Sequence, residues 1–174
     1  QLTANDYSKY LSIKLKRKIK KDEPISFKNS NIQNNREKVY KILLKIKKFL
    51  EKNNFQVPGN INLEISHHYG INKFDKYGLV MFTIVNREYC KKLLIVLPGQ
   101  THPTQFHKRK EETFNIVKGN VDLILDGVKK NFKQNEIVTI KKNCKHKFYS
   151  KKGCIIEEIS TNHKIADSFY LDKK

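Results

Sequence analysis

The stretch Gly99–Gly119, GQTHPTQFHKRKEETFNIVKG, places His102, Gln105, His107, Lys110, Glu111 and Glu112 in one short run. Read as strand, residues i and i+2 share a face, so Gln105 and His107 point the same way. The neighbours Glu111 and Glu112 must diverge, and only one of them can enter an interior. Short extended segments surround this run: Ile61–Ser66, Leu79–Val85, Lys92–Leu97, Glu112–Val117, Val121–Leu125, Glu136–Ile140, Lys147–Ser150 and Cys154–Ile159. Turn signals separate them, among them Pro98-Gly99, Gly119-Asn120 and Asp126-Gly127. Many short strands at this spacing predict an all-β sandwich or barrel.

Upstream the period changes. From Arg36 to Lys52 the apolar residues Val39, Ile42, Leu43, Ile46, Phe49 and Leu50 follow helical spacing, with Asn34 or Asn35 available as N-cap. This is an amphipathic helix. Residues 7–20 alternate apolar and basic from Leu11 to Ile19, a strand pattern, and residues 21–35 are turn-rich around Pro24. The expected organisation is a strand and linker over 1–35, the helix over 36–56 and a β domain over 57–174.

The chain has 174 residues and a formal net charge of +19. The excess is lysine, 32 Lys to 4 Arg, alongside 17 Asn and 19 Ile. All three types have A/T-rich codons, so a genome of low G+C content raises them together without selection for a polyanion. There is no arginine cluster, zinc finger or aromatic–basic RNA motif, and the expectation is no nucleic-acid partner. No run approaches the roughly 18 apolar residues of a membrane span, and QLTANDYSKY is no signal peptide. Three cysteines, Cys90, Cys144 and Cys154, without a C-x-x-C pair argue against a disulfide framework. A soluble protein of the reduced cytoplasm is expected, and a first residue of Gln1 suggests a processed or excised piece of something longer.

The run from Gln105 to Gly119 resembles the first cupin motif, H-x-H-x(3,4)-E-x6-G, with His107 as second histidine, Glu112 as glutamate and Gly119 as closing glycine. Gln105 stands where the first histidine belongs. The second motif, G-x5-P-x-G-x2-H-x3-N, aligns Asn135, Lys141, Asn143 and His146, with both glycines replaced by Asn, the residue that best tolerates a left-handed backbone. The resemblance implies a mainly β fold, the cupin double-stranded β-helix or jelly roll, preceded by the N-terminal strand and amphipathic helix. It also implies a metal site of Gln105, His107, Glu112 and His146, an N2O2 set suited to Zn, Mn, Fe or Ni. The amide is the weak donor of that set, and the alternative is a polar pocket without an ion.

Further polar residues flank this site. His102 is off the alternating register and reaches the site only if the chain bulges. Lys110 sits as in the H-x-x-K-x-E run of cupin sugar isomerases, or is one more surface lysine. Of His67 and His68, at most one faces the interior; His68, His102 and Lys110 are the substrate-binding candidates. Catalytic residues are unassigned, with Glu111, Glu157 and Glu158 as possible bases. Only one of the last two can face a pocket. His163 and Asp167 resemble the H-x3-D segment of cupin regions appended to sialic acid synthase-like proteins or serve in capping or packing, and Phe106, Phe114 and Phe148 read as core.

Across the chain, IKKDEPISFKN, LEISHHYG, VNREYCKKLLIVLPGQTHP, KRKEETFNIVKG and EEIST resemble the region appended to sialic acid (N-acetylneuraminate) synthase-like proteins. That likeness implies a C-terminal cupin module of such a protein, binding a sugar or sugar phosphate, with the rest of the synthase as partner. The (β/α)8 barrel of about 250 residues that performs the condensation has no room here. The alternative is a metal-dependent cupin sugar isomerase or epimerase. A homodimer is expected, because an unpaired Leu11–Ile19 strand edge is a liability that exchange can cover.

Overall fold

A computed structural model describes residues 17–18, 20–21, 35–59, 61–161 and 163–172. The chain divides into two compact units, Gln1–Ile42 and Leu43–Lys174. The expected strand Leu11–Ile19 lies outside the described residues apart from Arg17 and Lys18, neither of which is in a strand. In the first unit the described structure is chiefly the opening of helix α1 (Asn35–Lys52), steadied by a Glu37–Lys41 ion pair at 2.7 Å. The helix matches the periodicity reading: Asn35 is already helical, while Asn34 lies outside the described residues. It ends where Asn54 takes a left-handed φ of 49° and the Phe55 N–H turns back to the Leu50 carbonyl at 3.0 Å.

The second unit is an antiparallel β fold. Its strands are β1 (Asn62–Ser66), β2 (Leu79–Asn86), β3 (Tyr89–Val96), β4 (Gln105–Phe106), β5 (Glu112–Leu125), β6 (Val128–Lys133), β7 (Ile137–Ile140), β8 (His146–Tyr149), β9 (Cys154–Thr161) and β10 (Phe169–Tyr170). Along the sheet the order is β1-β2-β3-β9-β5-β8-β4-β10, with β6 and β7 also on β5. Strand β5 makes the sheet curl. Its first half pairs with β7 and β9, and its second half with β6 and β8. This is the double-stranded β-helix that the sequence predicted.

Gly119-Asn120, expected as a turn between two strands, is instead a bend inside β5. The register with β9 shifts between Ile116 and Lys118, and Gly119 follows at φ +79°. A Cβ at Gly119 would stand 2.5 Å from the Gly153 carbonyl oxygen, so only glycine lets the two strands cross this closely. Asp126-Gly127 is a true two-residue hairpin, with φ of 46° and 87°. Asn135 and Asn143, the glycine replacements, both hold positive φ, at 70° and 65°.

Inside the curl, Leu79, Leu94, Val96, Phe114, Ile116, Leu123, Phe148 and Ile156 form one cluster. Leu93, Ile95 and Ile155 alternate with these and are equally buried, so the sheet is covered on its outer face too. There Phe49 of α1 lies so close to Gly153 that a Cβ would meet its ring at 2.6 Å. Cys90, Cys144 and Cys154 are free thiols, and burial pushes Cys144 up to about 11 and Cys154 up to about 12. Among the described residues no helix is long and apolar enough to cross a membrane.

Candidate metal centre and pocket

A cavity of about 340 Å³ opens into the curl, lined by Ser66, His68, Lys92, Lys110, Glu158 and Tyr170 among others. His107 and Glu112 line it and His146 converges on them, all three buried, with ligand atoms within 4.8 Å of one another. Each arrives by strand alternation. His107 follows Gln105 by two positions, Glu112 opens β5 on its inward face, and His146 opens β8 directly opposite Gln105. Glu111 is exposed and points away, as alternation requires.

Backbone groups fix both imidazoles. His107 Nδ1 is 2.8 Å from the Asp167 carbonyl and His146 Nδ1 is 3.1 Å from the Cys144 carbonyl. A carbonyl can only accept, so both Nδ1 atoms carry the hydrogen and both Nε2 lone pairs face Glu112. The separations are 3.4 Å from His107 Nε2 to Oε1 and 3.3 Å from His146 Nε2 to Oε2. Donors at about 2.1 Å from a shared ion, at tetrahedral to octahedral angles, stand roughly 3.0–3.4 Å apart. His107 Nε2 and Glu112 Oε2 are buried without a hydrogen-bond partner. Three buried acceptor groups turned on one another are a donor set for a cation, and a divalent metal fits it.

The fourth expected ligand, Gln105, is buried beside them, its amide nitrogen 3.1 Å from His146 Nε2. Lys110 is buried rather than a surface lysine. Its ammonium contacts Glu112 Oε1 and lies 3.1 Å from Glu158 Oε1. Burial pulls that ammonium down, but the carboxylates of Glu158 and Glu112 outweigh it and hold it above the usual lysine range. For Glu112, burial pushes up, yet the Lys110 ammonium at Oε1 holds it below the usual carboxylate range. Glu158 goes the other way: burial first, then the nearby Glu112 charge, raise it. Its Oε1 also accepts from Ser160 Oγ at 3.0 Å. Glu157 sits on the opposite face, paired with Lys91 at 2.6 Å, so Glu158 is the inward one of the two.

Of the remaining candidates, His68 faces the cavity and His67 is exposed. His68 Nε2 meets Ser66 Oγ at 2.8 Å, and its ring lies 4.0 Å from that of Tyr170. His102 also lines the cavity, stacked on Phe148 at 4.8 Å, with Nδ1 3.1 Å from the Pro103 carbonyl. Phe114 and Phe148 are core, and Phe106 stacks on Phe169. Three contributors escaped the sequence reading. Lys92 is buried and lines the cavity, and its signal was its inward register with Leu94 and Val96. Tyr170 and Ser168 arrive on the C-terminal segment, which carries no periodicity.

Burial first, then the imidazoles of His68 and His146, push His102 down to about 3. The unfolded chain therefore takes up a proton near pH 6.5 that the folded chain refuses until about 3, so stability falls as pH drops through that window. At pH 5 the loss from this group alone is about 2 kcal/mol. Urea unfolding at pH 7 and pH 5 should show the drop, and His102→Asn should shrink it.

Asp167 does the capping that was one reading of it. Oδ1 accepts the N–H groups of Lys108 and Arg109, both at 3.2 Å, and Oδ2 those of Arg109 and Lys110 at 3.0 and 2.9 Å. Its carbonyl holds His107, so one residue positions both the loop bearing Lys110 and a candidate ligand. Asp167→Ala orphans these donors, at a cost of about 1–3 kcal/mol. It should also loosen the segment whose carbonyl holds His107 and so weaken metal binding by about tenfold. Asp167→Asn, which keeps one acceptor oxygen, should recover part of both in thermal unfolding and metal titration.

Residues 92–153 match the cupin domain family. A D-lyxose/D-mannose isomerase of Thermosediminibacter oceani is 32% identical over 112 residues, 59% of this chain and 57% of that protein. The chain thus matches little more than half the length of that relative. Cellulomonas parahominis L-ribose isomerase shares the fold at a TM-score of 0.65 and 14% identity, over 79% of this chain and 92% of that one. Acinetobacter sp. DL28 L-ribose isomerase, a mutant in complex with L-ribose, does so at 0.60 and 11%, over 73% and 81%. None of these three proteins is a synthase. Fold and motif register agree on the cupin double-stranded β-helix fold, within which residues 92–153 match the cupin domain model.

Proposed function

We propose that this chain is a divalent-metal-dependent sugar isomerase that interconverts an aldose and its ketose. The observation that carries the reading is the convergence of His107, Glu112 and His146 beside the buried pair Lys110–Glu158. The identity to a D-lyxose/D-mannose isomerase makes a neutral pentose or hexose the expected substrate class. His107, Glu112 and His146 would hold the ion, with Gln105 next to them. When bound, it supplies Lewis-acid polarisation of sugar oxygens.

The chain's own residues handle the proton. Glu158, held toward neutrality by burial, is suited to take the proton from the carbon beside the carbonyl and return it to the former carbonyl carbon, while the hydroxyl proton of the first carbon passes to the former carbonyl oxygen. Lys110 fixes the Glu158 carboxylate through the 3.1 Å contact, and Lys92 lines the same cavity as a donor to sugar oxygens. His68, His102 and Tyr170 form an aromatic wall for the sugar's apolar face.

A second reading, a sugar-binding module of a sialic acid synthase-like protein, rests on the sequence runs quoted above. Two of them, KRKEETFNIVKG and EEIST, contain Lys110, Glu112 and Glu158, so they describe the same pocket and serve either reading. Assay of the full chain, stripped and reloaded with Mn²⁺, on D-lyxose, D-mannose and L-ribose separates them. Ketose formation supports the isomerase. Sugar binding without turnover supports the module.

A further inference from the structure

We propose that Lys92 and His163 form a hydroxyl-reading pair at the end of the pocket remote from the reacting carbons, and that they restrict it to aldoses with a free, unphosphorylated terminal hydroxyl; the inference rests on the isomerase reading of this pocket. Strand order places the pair. Strands β3 and β5 flank β9, with Lys92 directly opposite Glu158 and Glu112 directly opposite Ser160. Two strand spacings of about 4.8 Å therefore separate the strand that bears Glu112 from the strand that bears Lys92, and Glu158 stands on the strand between them. His163 follows β9 and is pinned to the end of β2, on the far side of β3. Its N–H donates to Asn86 Oδ1 at 3.0 Å and its carbonyl accepts from Asn86 Nδ2 at 3.1 Å. Both side chains line the cavity.

The protein satisfies neither polar head. Lys92 is only 2% exposed, yet its Nζ makes no hydrogen bond or ion pair to another described residue. Among the described residues three buried side-chain atoms lack a hydrogen-bond partner: two belong to His107 and Glu112, and the third is His163 Nδ1. Buried polar groups in native folds are paired, so the cavity is where the partner of this nitrogen must come from. The chemistry of the pair selects that partner. Burial first, then the Lys92 and Lys110 ammoniums, push His163 down to about 4, so at pH 7 the ring is neutral and one nitrogen accepts. Lys92 acts on the ring more strongly than any other charge, and an ammonium attracts a lone pair and repels an N–H, which makes Nδ1 the acceptor. A donor beside an acceptor fits a hydroxyl, whose oxygen accepts from Nζ while its hydrogen goes to Nδ1. A phosphate dianion has no hydrogen to give Nδ1, and a methyl group satisfies neither residue.

The test compares D-lyxose, 5-deoxy-D-lyxose and D-lyxose 5-phosphate on the Mn²⁺-reloaded full chain, by turnover and, separately, by calorimetric binding. Wild type should favour D-lyxose over both analogues by about 10- to 100-fold in kcat/KM, the cost of leaving a buried group unpaired. His163→Phe and Lys92→Met keep the ring and the stem without the polar atom. Each should lose about tenfold or more on D-lyxose, chiefly in KM, and little on the 5-deoxy sugar, so that the discrimination collapses. Equal losses on both sugars would mark a structural role, and turnover of the 5-phosphate at the rate of D-lyxose would mark a phosphate site; either result overturns the pair. Equal binding of all three sugars to wild type overturns it as well. If no sugar turns over but binding still discriminates against both analogues, the isomerase reading fails and the hydroxyl-reading pair stands.

Discussion

Glu158→Gln will lower aldose–ketose turnover by about 10²- to 10⁴-fold, the range that a positioned general base contributes. The amide keeps an oxygen for the Lys110 and Ser160 donors that now meet Oε1 at 3.1 and 3.0 Å, so the pocket wall should hold its shape. What disappears is the capacity to carry a proton between two carbons. Metal content should therefore be unchanged, KM should move little, and kcat should account for the loss. Exchange of the substrate's C2 hydrogen with deuterated solvent should stop together with isomerisation. Retained exchange in the variant would assign the base to another residue.

Replacing His107 by Ala will abolish metal retention, with affinity falling by more than the roughly 100-fold seen for outer-shell losses. The change removes one of two neutral nitrogen donors and leaves Glu112 and His146 to hold an ion alone. It also orphans the Asp167 carbonyl that His107 Nδ1 now meets at 2.8 Å, so a stability cost of about 1–3 kcal/mol should accompany it. Metal analysis of protein purified without chelator, beside thermal unfolding of metal-free wild type and variant, separates the two effects. Equal metal content in both proteins would remove His107 from the centre.

Much of this arrangement was legible in the residues because alternation is a strict rule. It placed His107 and Glu112 inward, Glu111 outward, and made Glu157 and Glu158 exclusive of one another. The two asparagines in place of glycines kept their turns because Asn tolerates positive φ. What was not legible has physical causes. Strand β6, VKKNFK, is largely exposed, so nothing selects an apolar alternation in it. Gly119-Asn120 read as a turn because glycine marks both a turn and a close crossing, and only the neighbouring strand distinguishes them. Lys110 and Lys92 look like surface lysines in a chain with 32 of them. The burial of Lys110 follows from tertiary pairing with Glu112 and Glu158, which spacing alone does not encode, whereas Lys92 is marked only by its inward register in β3. The wall formed by Ser168 and Tyr170 returns to the site from the C-terminal segment, through the short β10–β4 pairing.

The central claim is that His107, Glu112 and His146 form the metal centre of a sugar pocket. Anomalous diffraction from crystals of the full chain grown with Mn²⁺, recorded near the manganese edge, tests it most directly. The account predicts one strong peak roughly 2.0–2.2 Å from both Nε2 atoms and a Glu112 carboxylate oxygen. A peak bound elsewhere, with the three side chains still facing one another and no ion between them, would contradict it.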